Sequence, residues 1–265
     1  MAPTDPSTTI RYLPTTEAYN KWAAVYDTDN NFLQALDTQE LKTLFPRFLR
    51  SIHSPKPWRL VDLGCGTGRN TKLLLNIPHS HSDSDSQSEV IALDASEGMI
   101  RVAQSSLAAA DGENPTNVKF ALFDLSTTST TPPSSMPLHA ADALISTLVL
   151  EHVPLPAFFA HAARLLRLDG VLLLTNMHAH MGGISRAGFV DTDSGVKIRP
   201  RDSFAHTVDE VVAEARRHGF EVDGDEGILE RTVGEDMVED LGMRSKKWVG
   251  ITCWFGGVFR KVPVG

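Results

Sequence analysis

Val61-Asp62-Leu63-Gly64-Cys65-Gly66-Thr67-Gly68 decides the reading of this chain. An apolar run that carries an acid and passes directly into three alternating glycines predicts a strand followed by a tight turn. Gly64, Gly66 and Gly68 bring no Cβ atoms, so the backbone can bend sharply and a ligand can approach it closely. Asp62 narrows the ligand. A phosphate favours bare N–H groups and positive potential, whereas a carboxylate beside the loop suits a ligand carrying an ammonium. At the third glycine of the dinucleotide fingerprint G-x-G-x-x-G this chain has Arg69, so a nicotinamide oxidoreductase is the disfavoured alternative.

Outward from this stretch strands and helices alternate, which predicts βαβ units and a parallel sheet. Strands are expected at 59–63, 90–94, 118–124, 141–146 and 171–175, the last apolar on both faces and therefore central. Helices are expected at 69–77 and from Ser96, as N-cap, through Met99, Val102 and Leu107. A further helix is expected at 156–168 on its Phe158/Phe159, Ala162/Ala163 and Leu165/Leu166 spacing, closed by Asp169-Gly170. The last is an amphipathic helix at 208–218 ended by Gly219. Residues 220–222, extending towards Leu229, and 247–261 form a closing pair. The expected fold is α/β: a doubly wound, seven-stranded, mostly parallel sheet with helices on both faces and an antiparallel last strand.

With 265 residues, 42% of them hydrophobic, the chain is expected to form one domain with a sizeable core. A net charge of −8 provides no field to gather a polyanion, so no nucleic acid partner is expected. Lys197, Arg199 and Arg201, and Arg244, Lys246 and Lys247, read as local solvated patches. Cys65 and Cys253 make neither a disulfide framework nor a CxxC metal site, which predicts a reduced, cytoplasmic protein. Residues 1–10 lack the basic-then-apolar pattern of a signal, and no apolar run approaches a bilayer span, so no membrane partner is expected. The polar tracts 79–88 and 126–137 hold too little apolar surface to offset ordering entropy and read as surface insertions. The His79/His81/Asp83/Asp85 alternation reads as solvated, and no metal is expected.

On Val61 to Gly68 the chain resembles the class I S-adenosylmethionine (SAM) dependent methyltransferases. The resemblance implies SAM as cofactor, with Gly64, Cys65, Gly66 and Gly68 forming the loop and Asp62 holding that loop and the methionyl ammonium indirectly. Asp94, in Ala92-Leu93-Asp94-Ala95-Ser96-Glu97-Gly98-Met99, resembles the second motif, where an acid accepts both ribose hydroxyls. A carboxylate has two oxygens spaced to receive a vicinal diol. Asp124 resembles the position that accepts the adenine amino group, with Leu125 and Met99 over the ring and Ala95 next to the ribose acid. Ser146, opening Ser146-Thr147-Leu148-Val149-Leu150-Glu151-His152, resembles the start of the fourth motif, beside the sulfonium. The Asn-Pro-Pro-Tyr/Phe turn of adenine and glutamine methylases is missing there, so those substrates are disfavoured. Tyr19, Trp22 and Tyr26 share one helical face and resemble the N-terminal helix of quinone-biosynthesis methyltransferases. The chain is also similar to relatives of the Williams-Beuren region methyltransferase.

Methyl transfer from a sulfonium is an in-line displacement in which alignment in a dry pocket supplies much of the acceleration. Open parallel sheets bind ligands beyond the carboxyl ends of their strands, and His178 follows the central strand there. It is the first candidate for a base, since a histidine near its free pKa takes a proton at neutral pH; His180 and His152 are weaker. Met177 and Met181 read as an adaptable apolar pocket. Long loops inside a domain serve as lids, and 181–206 is expected to cover the acceptor. The organisation expected is a disordered tail at 1–14, a helical cap at 15–57, a cofactor-binding core at 58–180, the lid, and a helix with closing strands at 207–265. The activity expected is metal-independent methylation of an oxygen or nitrogen of a small molecule by a monomer or homodimer. Carbon methylation of a quinol precursor, protein methylation and SAM binding without turnover are the alternatives.

Overall fold

The structure, a computed structural model, describes residues 10–77, 87–111 and 116–263. In chain order its elements are β1 (Ile10–Leu13), α1 (Thr15–Trp22), α2 (Phe32–Ser51), β2 (Arg59–Leu63), α3 (Arg69–Leu75), β3 (Glu89–Asp94), α4 (Glu97–Asp111), β4 (Val118–Leu122) and β5 (Ala141–Thr147). There follow α5 (Leu155–Leu165), β6 (Leu166–Met177), α6 (Ala179–Ile184), β7 (Phe189–Val190), β8 (Lys197–Pro200), α7 (Val208–Arg217), β9 (Phe220–Val222), β10 (Leu229–Thr232), α8 (Val238–Leu241) and β11 (Thr252–Lys261).

The large sheet runs β10-β11-β6-β5-β2-β3-β4, with β9 also paired to β11. From β6 to β4 every pairing is parallel, and β11 enters antiparallel beside β6. β10 pairs with β11 around Thr252 to Gly256 and β9 around Phe259 to Lys261, so the two share one sheet position. The α/β fold with seven strand positions and an antiparallel β11 is therefore present as expected. Strand order reverses between β2 and β5, which opens the crevice where such sheets take ligands.

Period-2 alternation builds the core. Val61, Leu63 and Leu144 face α5 and α7 through Phe158, Phe159, Val211 and Ala215. Leu60, Ala143 and Ile145 face α2 through Leu36, Leu44 and Phe48. A third cluster joins Leu13, Ala18 and Trp22 to Met99 of α4 and to Phe189 and Ile198. Ser96 caps α4, its Oγ accepting the Met99 N–H at 3.1 Å, and Asn20 Oδ1 accepts the Gly98 N–H at 2.8 Å. These bonds dock α1 over the carboxyl edge of the sheet.

Several boundaries differ from expectation. The helix expected to 168 ends at Leu165, and β6 begins at once because Leu166 takes an extended conformation and pairs with Ala141. Asp169 (φ 63°) and Gly170 bend β6 instead of closing a helix. Residues 243–248 form a 3-10 turn, so the last strand starts at Thr252. Within the tail expected at 1–14, Ile10–Leu13 form β1, parallel to Lys197–Pro200, and residues 1–9 lie outside the described residues. The stretch expected as a lid contributes α6, β7 and β8, so β1, β8 and β7 make a small separate sheet. Most of the 79–88 tract also lies outside the described residues.

Candidate active site

The glycine loop is tied to the end of β3. Leu93 O accepts the N–H groups of Gly64 (2.7 Å) and Cys65 (2.9 Å), while Asp94 Oδ2 accepts that of Gly66 (2.8 Å). Asp94 Oδ1 accepts the Ser96 N–H at 2.8 Å. Burial pushes the Asp94 pKa up, and the N–H bonds of Ser96, Gly66 and Ala95 oppose that rise. Gly64 (φ 78°) and Gly66 (φ 53°) hold left-handed conformations. A Cβ on Gly64 would lie 2.3 Å from Val149 Cγ2, whereas one on Gly66 would project into open space. The loop is thus shaped to leave room above Gly66.

The part expected of Asp62 is an indirect one. It is buried below the loop, its Oδ2 accepts the Thr71 hydroxyl at 2.6 Å, and burial raises its pKa to about 7. It anchors α3 and does not line the cavity. Arg69 and Asn70 at the start of α3 both donate to Thr147 Oγ1, at 3.2 and 2.6 Å. Arg69 also pairs with Asp37, a fully buried carboxylate that accepts the Thr175 hydroxyl and, at 2.8 Å, the Trp254 indole N–H.

A cavity of about 310 Å³ opens at the carboxyl ends of β2, β3 and β5. Of the residues expected at the site, Tyr19, Tyr26, Gly64, Gly66, Asp94, Ala95, Met99, Asp124 and Leu125 line it. Asp124 Oδ1 accepts the Ser126 N–H at 2.8 Å, and the buried side chains of Phe123 and Leu125 flank the acid. The wall also holds His152, the weaker base candidate of the sequence, with Thr147, Leu148 and Val149 of the fourth motif and Asp202, which were not named as site residues.

Five expected contributors besides Asp62 lie elsewhere. Trp22 stacks on Phe189 with centroids 5.1 Å apart and donates its indole N–H to Asp29. Cys65 is buried, which raises its thiol pKa, and Gly68 starts α3 against Ala103. Ser146 is buried and donates to Leu63 O at 2.7 Å, so Thr147 takes its place in the wall. His178 is the N-cap of α6. Its Nδ1 accepts the His180 N–H at 3.0 Å and its Nε2 pairs with Glu230 at 2.9 Å, so both ring nitrogens are committed outside the cavity.

The histidine that reaches the cavity is His152, 133 residues from its partner Tyr19. Its Nε2 lies 2.7 Å from Tyr19 Oη, and its Nδ1 lies 3.3 Å from Asp202 O. A carbonyl only accepts, which places the proton on Nδ1 and leaves Nε2 to accept the Tyr19 hydroxyl. Burial, first, and then the charges of neighbouring groups raise the Tyr19 pKa well above its ordinary value, so the phenol stays protonated as that bond requires. Among the described residues no three His, Cys, Asp or Glu side chains gather as metal ligands, and the 79–85 alternation lies outside them. No described helix is long and apolar enough to cross a membrane.

A family of methyltransferase domains matches residues 61–172, which run from the glycine loop through the cavity wall into β6. An uncharacterised methyltransferase of Emericella nidulans is 48% identical over 93% of this chain and 91% of its own length. The fold is shared with a SAM-dependent methyltransferase from Mesorhizobium loti, with a TM-score of 0.54 at 18% identity over 82% of this chain and 96% of that one. It is shared too with DhpI, solved with S-adenosylhomocysteine (SAH), with a TM-score of 0.59 at 20% identity over 94% and 96%. Sequence kinship along nearly the whole chain, on this sheet and with this glycine loop, makes the chain a member of the class I SAM-dependent methyltransferase family.

Proposed function

We propose that the chain transfers a methyl group from SAM to an oxygen or nitrogen of a small molecule without a metal. The observation that carries this reading is the 310 Å³ cavity, which sets two strand-end carboxylates and an open glycine turn under a cap of aromatic side chains. Its residues fit the cofactor. The Asp94 oxygens accept loop N–H groups and keep lone-pair capacity that suits a ribose hydroxyl. Asp124 stands between Phe123 and Leu125, an apolar slot with an acceptor at its rim that suits adenine and its amino group. The space above Gly66 accommodates the methionyl chain.

When bound, SAM supplies a sulfonium methyl that an acceptor lone pair can displace. The chain's own work is to bind, align and exclude water. Tyr19 and Tyr26 close the cavity from the N-terminal segment, and Thr67 fastens that segment to the loop by donating to Asp27 Oδ1 at 2.7 Å. His152 orients Tyr19 and supplies an imidazole at the cavity. Incubation with methyl-labelled SAM and a panel of small hydroxy and amino compounds tests the reading. Label is expected in the low-mass fraction, with turnover lowered at least about tenfold in His152→Gln and unchanged in His178→Gln. Label in added proteins alone, or in no acceptor, contradicts it.

A further inference from the structure

A second cavity, of about 170 Å³, adjoins the first. Trp22 lines it, and the Trp22 ring lies 5.5 and 5.1 Å from those of Tyr19 and Tyr26, which line the first cavity. Glu151 lines it too, 3.5 Å from His152 Nε2 on the other side of the same wall. One layer of side chains thus separates the two spaces.

Four cations reach this cavity in a chain of net charge −8: Arg186 after α6, Lys197 of β8, and Arg244 and Lys247 from the turn before β11. Arg186, Lys197 and Lys247 have no ion pair among the described residues, and Arg244 donates only to the Asp29 carbonyl. Burial lowers the Lys197 pKa, and the neighbouring charges of Arg199, Lys247 and Arg244 lower it further. With Asp29 and Glu151 as its acids, the recess still carries more positive than negative side chains, which favours an anionic ligand. The rest of the lining is apolar and adaptable, with Phe32, Leu33, Met177, Met181 and Trp248.

Of the two acids of the cavity, Glu151 is buried and Asp29 half-buried. Asp29 accepts the Trp22 indole N–H at 2.8 Å, and burial raises its pKa. Glu151 is 5% exposed, and its Oε2 has no hydrogen-bond partner among the described residues. The Trp248 indole N–H is buried and unpartnered as well. A buried polar atom without a partner is costly, so a ligand that brings a donor to Glu151 and an acceptor to Trp248 removes that cost.

We propose that this second cavity is a binding site for a small organic carboxylate with an apolar body, its hydroxyl or amine held by Glu151. The lysine and arginine side chains take the carboxylate, the tryptophans and methionines take the hydrocarbon, and Glu151 holds the hydroxyl or amine at the wall shared with the first cavity.

The test uses the full chain, saturated with SAH, and a panel of small hydroxy- and amino-carboxylates with aromatic or branched bodies. Each is paired with its primary amide and with the analogue lacking the hydroxyl or amine, and binding is read by ligand-observed NMR. Carboxylates are expected to bind at least about tenfold more tightly than their amides, the size of a charge-assisted contact. The double variant Lys197→Gln/Lys247→Gln should abolish that preference, and Glu151→Gln should abolish the preference over the deoxy analogues. SAH affinity, measured separately, should stay the same in the double variant, which shows that it folds. Amides binding as well as carboxylates, no carboxylate binding below about 1 mM, or a double variant indistinguishable from the parent overturns the proposal. A chain that fails to bind SAH but still prefers carboxylates would overturn the cofactor reading alone.

Discussion

Replacing Asp94 by Asn changes one atom at the junction of glycine loop and cofactor cavity. The two carboxylate oxygens accept the Gly66 and Ser96 N–H groups at 2.8 Å each. An amide has one oxygen and one NH2, so one of these N–H groups then faces a donor. Hydrogen bonds to charged groups contribute roughly 1.5–3 kcal/mol, which sets the loss within the loop; release of a buried charge offsets part of it. On the ligand side one ribose hydroxyl loses an acceptor of the same kind, so SAH affinity should fall roughly ten- to hundredfold. Calorimetric titration at pH 8, with melting curves to confirm folding, measures both terms. Because burial raises the Asp94 pKa, the parent's SAH affinity should also fall towards that of the variant as pH is lowered. An Asn variant that binds SAH like the parent would refute the reasoning about Asp94.

Gly64→Ala combines a left-handed backbone, costing about 1–2 kcal/mol for an L-residue, with a Cβ 2.3 Å from Val149 Cγ2; in urea melts Val149→Ala should recover the contact part and leave the backbone part. Asp62→Asn should stabilise the chain above pH 7. The parent's Asp62 pKa is raised by burial to about 7, so its contribution is fully present below the unfolded value near 4 and lost as pH rises through 7. The melting-temperature gap between variant and parent should therefore widen from pH 5 to pH 8, and a constant gap would contradict the assignment. Asp37→Ala strands the Arg69, Thr175 and Trp254 donors in the core and should cost roughly 3–5 kcal/mol in chemical denaturation, more than any exposed acid-to-alanine change.

Strand-end chemistry was legible because it is local. Gly64 and Gly66 announce a turn, and Asp94 and Asp124 each close an apolar run, so parallel strands carry them to one edge of the sheet. What escaped is set by long-range packing. The spacing of Tyr19, Trp22 and Tyr26 predicts one helical face, but α1 ends at Trp22, and Phe189 offers Trp22 a stacking partner away from the first cavity. His178 does follow β6, yet Glu230 on β10, beyond β11, and the N-terminus of α6 take both of its nitrogens. The Tyr19–His152 bond joins residues 133 apart, and no short motif encodes such a contact. The Lys197 and Lys247 patches read as solvated surface because the fold alone brings them to one recess. At 166–169 an apolar helix period passes without a break into an apolar strand, which periodicity cannot divide.

Isothermal titration of the purified chain with SAM, SAH and NADH tests the central claim most directly. The account predicts saturable binding of SAM and SAH at micromolar concentration, weakened in Asp94→Asn, and no heat with NADH. Binding of NADH, or no binding of SAM or SAH at high micromolar concentration, would contradict it.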